Sequence, residues 1–301
     1  MAVDTSSSVA LSYEWAHLGG RPGRLRRLGR VARQQPLGVF GCLVLGTFVF
    51  LGIFGPYITP HDPRELSVAP QLGDPTWSHP FGGNQNGQDM FSRVIAGARV
   101  SLTISAAAIF IGAASGSFLG ILGGYYGRWI DYVVQRGGEA FAAFPGLTLY
   151  LLLIAAFGQG VKTIIIAIAI GALFGGSRVL RGATIVESRS AYVEAARSVG
   201  CSENRILLRH VIPNVLPLTI IIMSGALGGA ILAESALAFL GLGVEPGTPS
   251  WGIDISANLT LARFGNWHLV VFPGLAISLV VLGSNLLGDA LRDVLDPRLR
   301  R

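Results

Sequence analysis

The stretch Tyr192-Val-Glu-Ala-Ala-Arg-Ser-Val-Gly200-Cys-Ser-Glu-Asn-Arg-Ile-Leu-Leu-Arg-His210-Val-Ile-Pro-Asn214 lies between two long apolar runs and decides how the chain is organised. On a helical wheel Ala191, Tyr192, Ala195, Ala196 and Val199 form one apolar face, while Glu194, Arg197 and Ser198 lie away from it. Gly200 suits the left-handed position just past a helix, and Ser202 suits the N-cap of a second helix whose first turn holds Glu203. The expected product is a short amphipathic helix, a tight corner and the start of a long apolar helix.

Outward from this stretch, six apolar segments reach spanning length: Leu37 to Tyr57, Val100 to Gly124, Ile130 to Phe157, Val161 to Leu180, Val211 to Leu240 and Trp267 to Leu287. About 20 apolar residues cross a hydrocarbon layer of about 30 Å as a helix. The chain of 301 residues is 51% hydrophobic and 13% charged. A water-soluble core of that size does not hide half its side chains beneath so few charges. The runs are continuous, without the two-residue alternation of a membrane barrel, so the expected fold is all-helical and polytopic. The first run is too long for a cleavable signal and reads as a retained span.

Of the 23 basic residues, 18 fall on one side if the amino terminus is cytoplasmic; only Arg64, Arg93, Arg99, Lys162 and Arg263 fall on the other. This bias places both termini, and the 192–214 stretch, in the cytoplasm. Pro56 to Asn86 and Gly241 to Asn266, rich in Pro, Gly and Asn, read as irregular, partly ordered external loops. The expected organisation is a basic tail over 1–36, a first helix with its external loop over 37–99, a five-helix core over 100–292 with a cytoplasmic loop at about 185–213, and a tail over 293–301. No fixed-period repeat and no inverted pair of interrupted spans is present.

The short helix has two readings. Arg189, Arg197 and Arg205 can hold an interfacial helix on anionic lipid. Alternatively the helix is a docking knob, since an alanine face is poor for lipid insertion and good for close approach to a protein groove.

The residues resemble the EAA loop of ABC-importer permeases: Glu-Ala-Ala, three residues, Gly, nine residues, Ile, any residue, Leu-Pro. Glu194, Ala195, Ala196, Gly200 and Pro213 fall on the pattern in register, with His210 in place of Ile and Ile212 in place of Leu. Arg209-His-Val-Ile-Pro-Asn214 is similar to the peptide-transporting branch. So are His79-Pro-Phe-Gly and the residues that follow to Leu102, with Gly83-Asn84 where Thr-Asp is usual and Gln88 where Arg is usual, Glu234-Ser-Ala-Leu-Ala-Phe-Leu-Gly-Leu-Gly243, and the closing Asn285 to Arg300. The resemblance, covering most of 37–301, is to the C-type permease subunit of dipeptide and oligopeptide importers. It implies the type I ABC importer fold with six transmembrane helices, and an ATPase-coupling role for Tyr192, Glu194, Ala195, Ala196, Arg197, Gly200, Arg205, His210 and Pro213. It further implies a paralogous permease, two cytoplasmic ATPase domains and an external solute-binding protein as partners, in a lipid bilayer and without nucleic acid. Nickel, glutathione or haem are alternative cargoes within the family. A proton-coupled secondary transporter and a membrane scaffold are alternatives outside it.

No nucleotide motor is expected in the chain itself. The only lysine, Lys162, follows Val161, so no Gly-Lys-Ser/Thr phosphate loop exists. ATP and Mg²⁺ are expected at the partner ATPases, and no cofactor on this chain. There is no HExxH or GxSxG, and no catalytic residue is expected. Cys42 and Cys201 sit in unlike contexts, which argues against a disulfide or a metal site. His61 and His79 lack a second ligand at suitable sequence spacing, so no metal site is expected. Glu139, Glu234 and Asp289 lie in or beside apolar spans, where a carboxylate costs about 2.5–3.5 kcal/mol at the bilayer centre. They are expected either to line the translocation path, with Ser235, or to form helix-end pairs, Glu139 with Arg136 and Asp289 with Arg292. Gly171, Gly175, Gly176, Gly225, Gly228 and Gly229 read as close-packing positions.

Overall fold

The computed structural model describes residues 35–245 and 247–295, together with Arg33. Residues 1–32, Gln34 and 296–301, which hold most of the two expected tails, and Pro246 lie outside the described residues. The elements are α1 (Pro36–Ile58), α2 (Met90–Tyr126), α3 (Arg128–Ala142), α4 (Gly146–Phe157), α5 (Val161–Ser188), α6 (Ala191–Ser198), α7 (Glu203–Phe239), α8 (Trp251–Ala262) and α9 (His268–Leu295). Five helices (α1, α2, α5, α7 and α9) are long and apolar enough to cross a membrane, and α3 with α4 make a sixth if that bent pair is one span. The chain is thus an all-helical membrane protein, with no β-ladder among the described residues beyond the isolated bridge of Gly83 to Asp89.

The third span is not the unbroken helix that its hydropathy suggested. The chain turns by 98° between α3 and α4. Pro145 causes the break: it has no N–H to continue the ladder, and its ring pushes the preceding residue out of the helical region. Pro145 itself is extended, at ψ 135°.

The second helix begins at Met90 rather than Val100. Asp89 supplies the start, its Oδ2 accepting from the Ser92 N–H at 2.9 Å. The polar first turns are stable because Arg93 is buried against Asp254 of α8, with Nε and Nη2 at 2.8 and 2.7 Å from Oδ1. Hydropathy alone missed this boundary, since the partner lies 161 residues away.

Glycine sets the closest packing. A methyl group at Gly112, Gly116, Gly120 or Gly124 of α2 would lie 2.3, 2.3, 2.4 or 2.7 Å from the carbonyl oxygen of Ala169, Leu173, Ser177 or Arg181 of α5. Both rows step by four residues, so two helix faces meet backbone to backbone. Of the glycines expected to pack closely, an added methyl at Gly171 would stand 2.8 Å from Tyr150 Oη and one at Gly228 2.6 Å from Ser284 Oγ. A methyl at Gly176 would meet only Ala113 Cα at 4.0 Å and one at Gly175, Gly225 or Gly229 would meet nothing within 4 Å, although a methyl at Gly288 would stand 3.2 Å from Gly225 N. The first helix buries Gly38, Gly41, Leu45, Gly52 and Gly55 and exposes Leu37, Leu43, Phe50 and Ile53, the pattern of a span with one protein face and one lipid face.

The segment after α7 is more ordered than its Pro and Gly content suggested, because it folds into α8. Trp251 is fully buried, its Nε1–H donating to Val94 O at 2.9 Å and its ring meeting Phe48 edge-on at 5.6 Å. Replacing it with alanine removes a large core side chain and the bond that ties it to α2, at a cost of about 3–5 kcal/mol. Trp251→Ala is expected to lower the thermal unfolding midpoint of the purified chain sharply, whereas exposed Trp77→Ala leaves it unchanged.

Candidate functional site

The short helix, the corner and the long helix form as their local signals require. Gly200 takes φ 81° just past α6. Its N–H donates to Arg197 O at 2.9 Å and the Cys201 N–H donates to Ala196 O at 3.1 Å. That pair of bonds is the Schellman closure, which satisfies the last carbonyls of a helix and fixes the exit direction of the chain. Ser202 is extended at the N-cap of α7 (φ −67°, ψ 146°), its carbonyl accepting from the Ile206 N–H at 3.0 Å.

Three sets of contacts fasten α6 to the bundle. The first is apolar: Val193 is fully buried in a cluster with Ile121 of α2, Leu180 of α5, and Ile206, Leu207, Val211 and Val215 of α7. The second is ionic: Arg197 donates to Glu203 from Nε at 3.0 Å and from Nη2 at 3.3 Å, and Tyr125 of α2 donates to the same carboxylate. The third is a hydroxyl bridge. Tyr192 donates to Glu187 and accepts from Asn214 Nδ2 at 2.9 Å. Burial, then the Glu187 bond, raise the Tyr192 phenol above its ordinary value.

The third contact lands on an irregular turn. Residues Leu207–Val211 form a π turn inside α7, in which the Ile212 N–H reaches back to Leu207 O. Pro213 follows directly and has no N–H to offer Arg209, which loosens the ladder there. The His210 carbonyl accepts from Asn214 Nδ2 at 2.7 Å and from the Tyr192 hydroxyl at 3.3 Å. Tyr192 therefore holds the first residues of α6 against the bulged turn of α7.

The wheel face and the buried face of α6 differ. Ala191, Tyr192, Ala195 and Val199 are exposed, with Val199 80% accessible, while Val193 and half-buried Ala196 point into the bundle. Glu194, Arg197, Arg205 and Pro213 are exposed and His210 is half-buried. The structure thus gathers Tyr192, Arg197, His210 and Pro213 with Tyr125, Glu187, Val193, Glu203 and Asn214. Sequence reading omitted that second group as contact residues. Only Val193 carried a usable signal, as an apolar residue four positions before Arg197 on the inward side.

Of the four path candidates, only the neighbours Glu234 and Ser235 touch. Glu234 is 1% exposed at the far end of α7, between Ser235 Oγ at 3.2 Å and Ser250 Oγ at 3.3 Å, which donate to its two carboxylate oxygens. Glu139 is exposed and pairs with Arg136 at 2.5 Å. Asp289 is exposed on α9, and among the described residues no ion pair joins it to Arg292.

At the end of the bundle away from α6, the 59–89 segment is tightly bonded. Asn84 Nδ2 donates to Gln88 Oε1 at 2.9 Å, and both residues are buried. An amide pair thus occupies the positions where the resemblance has an acid and a guanidinium. His61 and His79, expected to lack a neighbouring ligand, are brought together here with Asp89, the N-cap of α2.

Sequence comparison extends this picture. The family of binding-protein-dependent transport system inner membrane components matches residues 116–301, and the N-terminal transmembrane domain of oligopeptide transport permease C matches residues 24–75. The glutathione transport system permease protein GsiD of Escherichia coli O157:H7 is 39% identical over 272 residues, which is 89% of this chain and 88% of that protein. The protein of the same name from Shigella dysenteriae serotype 1 (strain Sd197) is 38% identical over the same shares.

Proposed function

The chain belongs to the family of binding-protein-dependent transport system inner membrane components, the permeases of ABC importers, and from that premise we propose that it forms half of the path by which short peptides enter the cytoplasm. In this reading a paralogous permease supplies the other half, two ATPase domains bind ATP and Mg²⁺ beneath it, and a solute-binding protein delivers cargo from outside. In this reading both termini and α6 face the cytoplasm, which the distribution of arginines supports. The secondary-transporter and scaffold alternatives have no support once the family is known.

The observation that carries the coupling role is the way α6 is held. Its exposed side carries Ala191, Ala195 and Val199 beside Glu194 and Ser198, side chains suited to a protein groove, while Val193, Arg197 and Tyr192 bind it to α2, α5 and α7. A push on α6 is therefore delivered to the base of α7 and not absorbed locally. The π turn and Pro213 supply a place where α7 can bend.

Peptide cargo is supported by the match to oligopeptide transport permease C, and glutathione, itself a small peptide, by the named relatives. The test is ATPase stimulation of the reconstituted complex with its binding protein, offered dipeptides, longer peptides, glutathione or Ni²⁺. Stimulation by peptides containing only α-linkages supports the proposal. Stimulation by glutathione alone assigns the narrower cargo, and by Ni²⁺ alone overturns a peptide cargo.

A further inference from the structure

We propose that His61, His79 and Asp89 form a binding site for a divalent transition-metal ion of the zinc type, joining the segment after α1 to the N-terminus of α2. The three residues offer His61 Nδ1, His79 Nδ1 and a carboxylate oxygen, and these atoms all lie within 4.8 Å of one another. His79 Nδ1 is 3.2 Å from Asp89 Oδ1, and His61 Nδ1 is 3.9 Å from Asp89 Oδ2. Zn²⁺ bonds of about 2.0–2.2 Å to imidazole nitrogen and carboxylate oxygen put neighbouring ligand atoms about 3.3 Å apart in a tetrahedron. Of the three ligand pairs, His79 with Asp89 already has that separation, His61 with Asp89 needs to close by about 0.6 Å, and the two imidazole nitrogens lie within 4.8 Å of each other.

Two features favour a cation over a purely structural cluster. The His61 Nδ1 atom is shielded from solvent yet makes no hydrogen bond, although it faces a carboxylate. Both imidazoles turn the same nitrogen toward one acid, with their rings stacked at 5.2 Å. A single hydrogen bond from His79 satisfies only one of them, whereas a cation takes both.

The surroundings hold the ligands in place. Asp89 is fully buried, and its Oδ2 accepts from the Ser92 N–H at 2.9 Å and from Ser92 Oγ at 2.7 Å. The His61 N–H in turn donates to Ser92 Oγ at 3.4 Å. Pro60 and Pro63 bracket His61 and stiffen its backbone. Two imidazoles with one carboxylate suit zinc and its transition-metal neighbours and not Mg²⁺ or Ca²⁺, which favour all-oxygen shells. The fourth position is left for water or a ligand from outside the chain. To bind a cation through Nδ1, the neutral His79 ring carries its one proton on Nε2 instead of Nδ1.

The test uses the full-length chain without a polyhistidine tag, purified in detergent, dialysed against Zn²⁺ and assayed for bound metal and for unfolding temperature. Wild type and His17→Ala are expected to retain one zinc per chain and to gain thermal stability from it. His61→Ala leaves Asp89 and its capping bonds intact, and is expected to weaken binding at least tenfold and to lose the thermal gain; His79→Ala is expected to do the same. Zinc retention or stabilisation that is equal in wild type and in both variants overturns the site, as does failure of wild type to retain zinc.

Discussion

Gly116→Leu is expected to prevent accumulation of folded chain in the membrane, while Gly175→Leu, on the neighbouring helix of the same pair, is expected to leave it near normal. At position 116 even a Cβ would stand 2.3 Å from the Leu173 carbonyl oxygen, and no rotamer moves a Cβ away from a backbone atom. At position 175 nothing lies within 4 Å. Apolar burial gives little drive for helix association in lipid, so contact distance decides how strongly α2 and α5 hold together. Forcing them apart at Gly116 also opens the contacts at Gly112, Gly120 and Gly124. Overpacking at a site with room to relax costs about 1–3 kcal/mol, and here the expected cost is at or above the upper end. Membrane yield and detergent unfolding read the difference. Equal yields for the two variants would contradict the close-packed α2–α5 face.

The second large effect falls on transport rather than on folding. Gly200→Val is expected to reduce uptake about tenfold in a complex that still assembles, and Gly200→Asn is expected to retain most of it. No atom lies within 4 Å of the missing Cβ of Gly200, so space is not the issue. Its φ of 81° is the issue. A β-branched residue is a genuine outlier there, whereas asparagine visits that region at small cost. A penalty of about 1–2 kcal/mol moves the corner toward other geometries, and each 1.4 kcal/mol is a factor of ten in population. ATP hydrolysis then continues while the stroke reaching α7 is lost. The measurement is uptake per ATP hydrolysed, and a ratio that Gly200→Val leaves unchanged would remove the corner from the coupling route.

The helix, corner and helix around Gly200 were legible because their determinants are local: a glycine at the stop, a serine at the start and a proline after the π turn. The spans were legible for the same reason, as uninterrupted apolar runs. Features that depend on a distant partner were not. The early start of α2 needs Arg93 to find Asp254, and α8 needs Trp251 to find Val94 and Phe48. The bend at Pro145 was hidden because averaged hydropathy passes smoothly over one proline. The wheel of α6 grouped residues that mostly stay exposed and left the inward side unassigned, since alanine does not distinguish a buried face from a docking face. Val193 does distinguish them, being the branched residue that fills the cluster beneath the helix.

The coupling role rests on what touches the exposed side of α6. A photoreactive side chain placed at Ala195 or Val199, both exposed and neither in the contacts that hold α6 to the bundle, reports its neighbour in intact membranes. The expected result is an adduct with the ATPase subunit whose yield changes with nucleotide. Adducts with lipid alone, in every nucleotide state, would contradict the role assigned to α6.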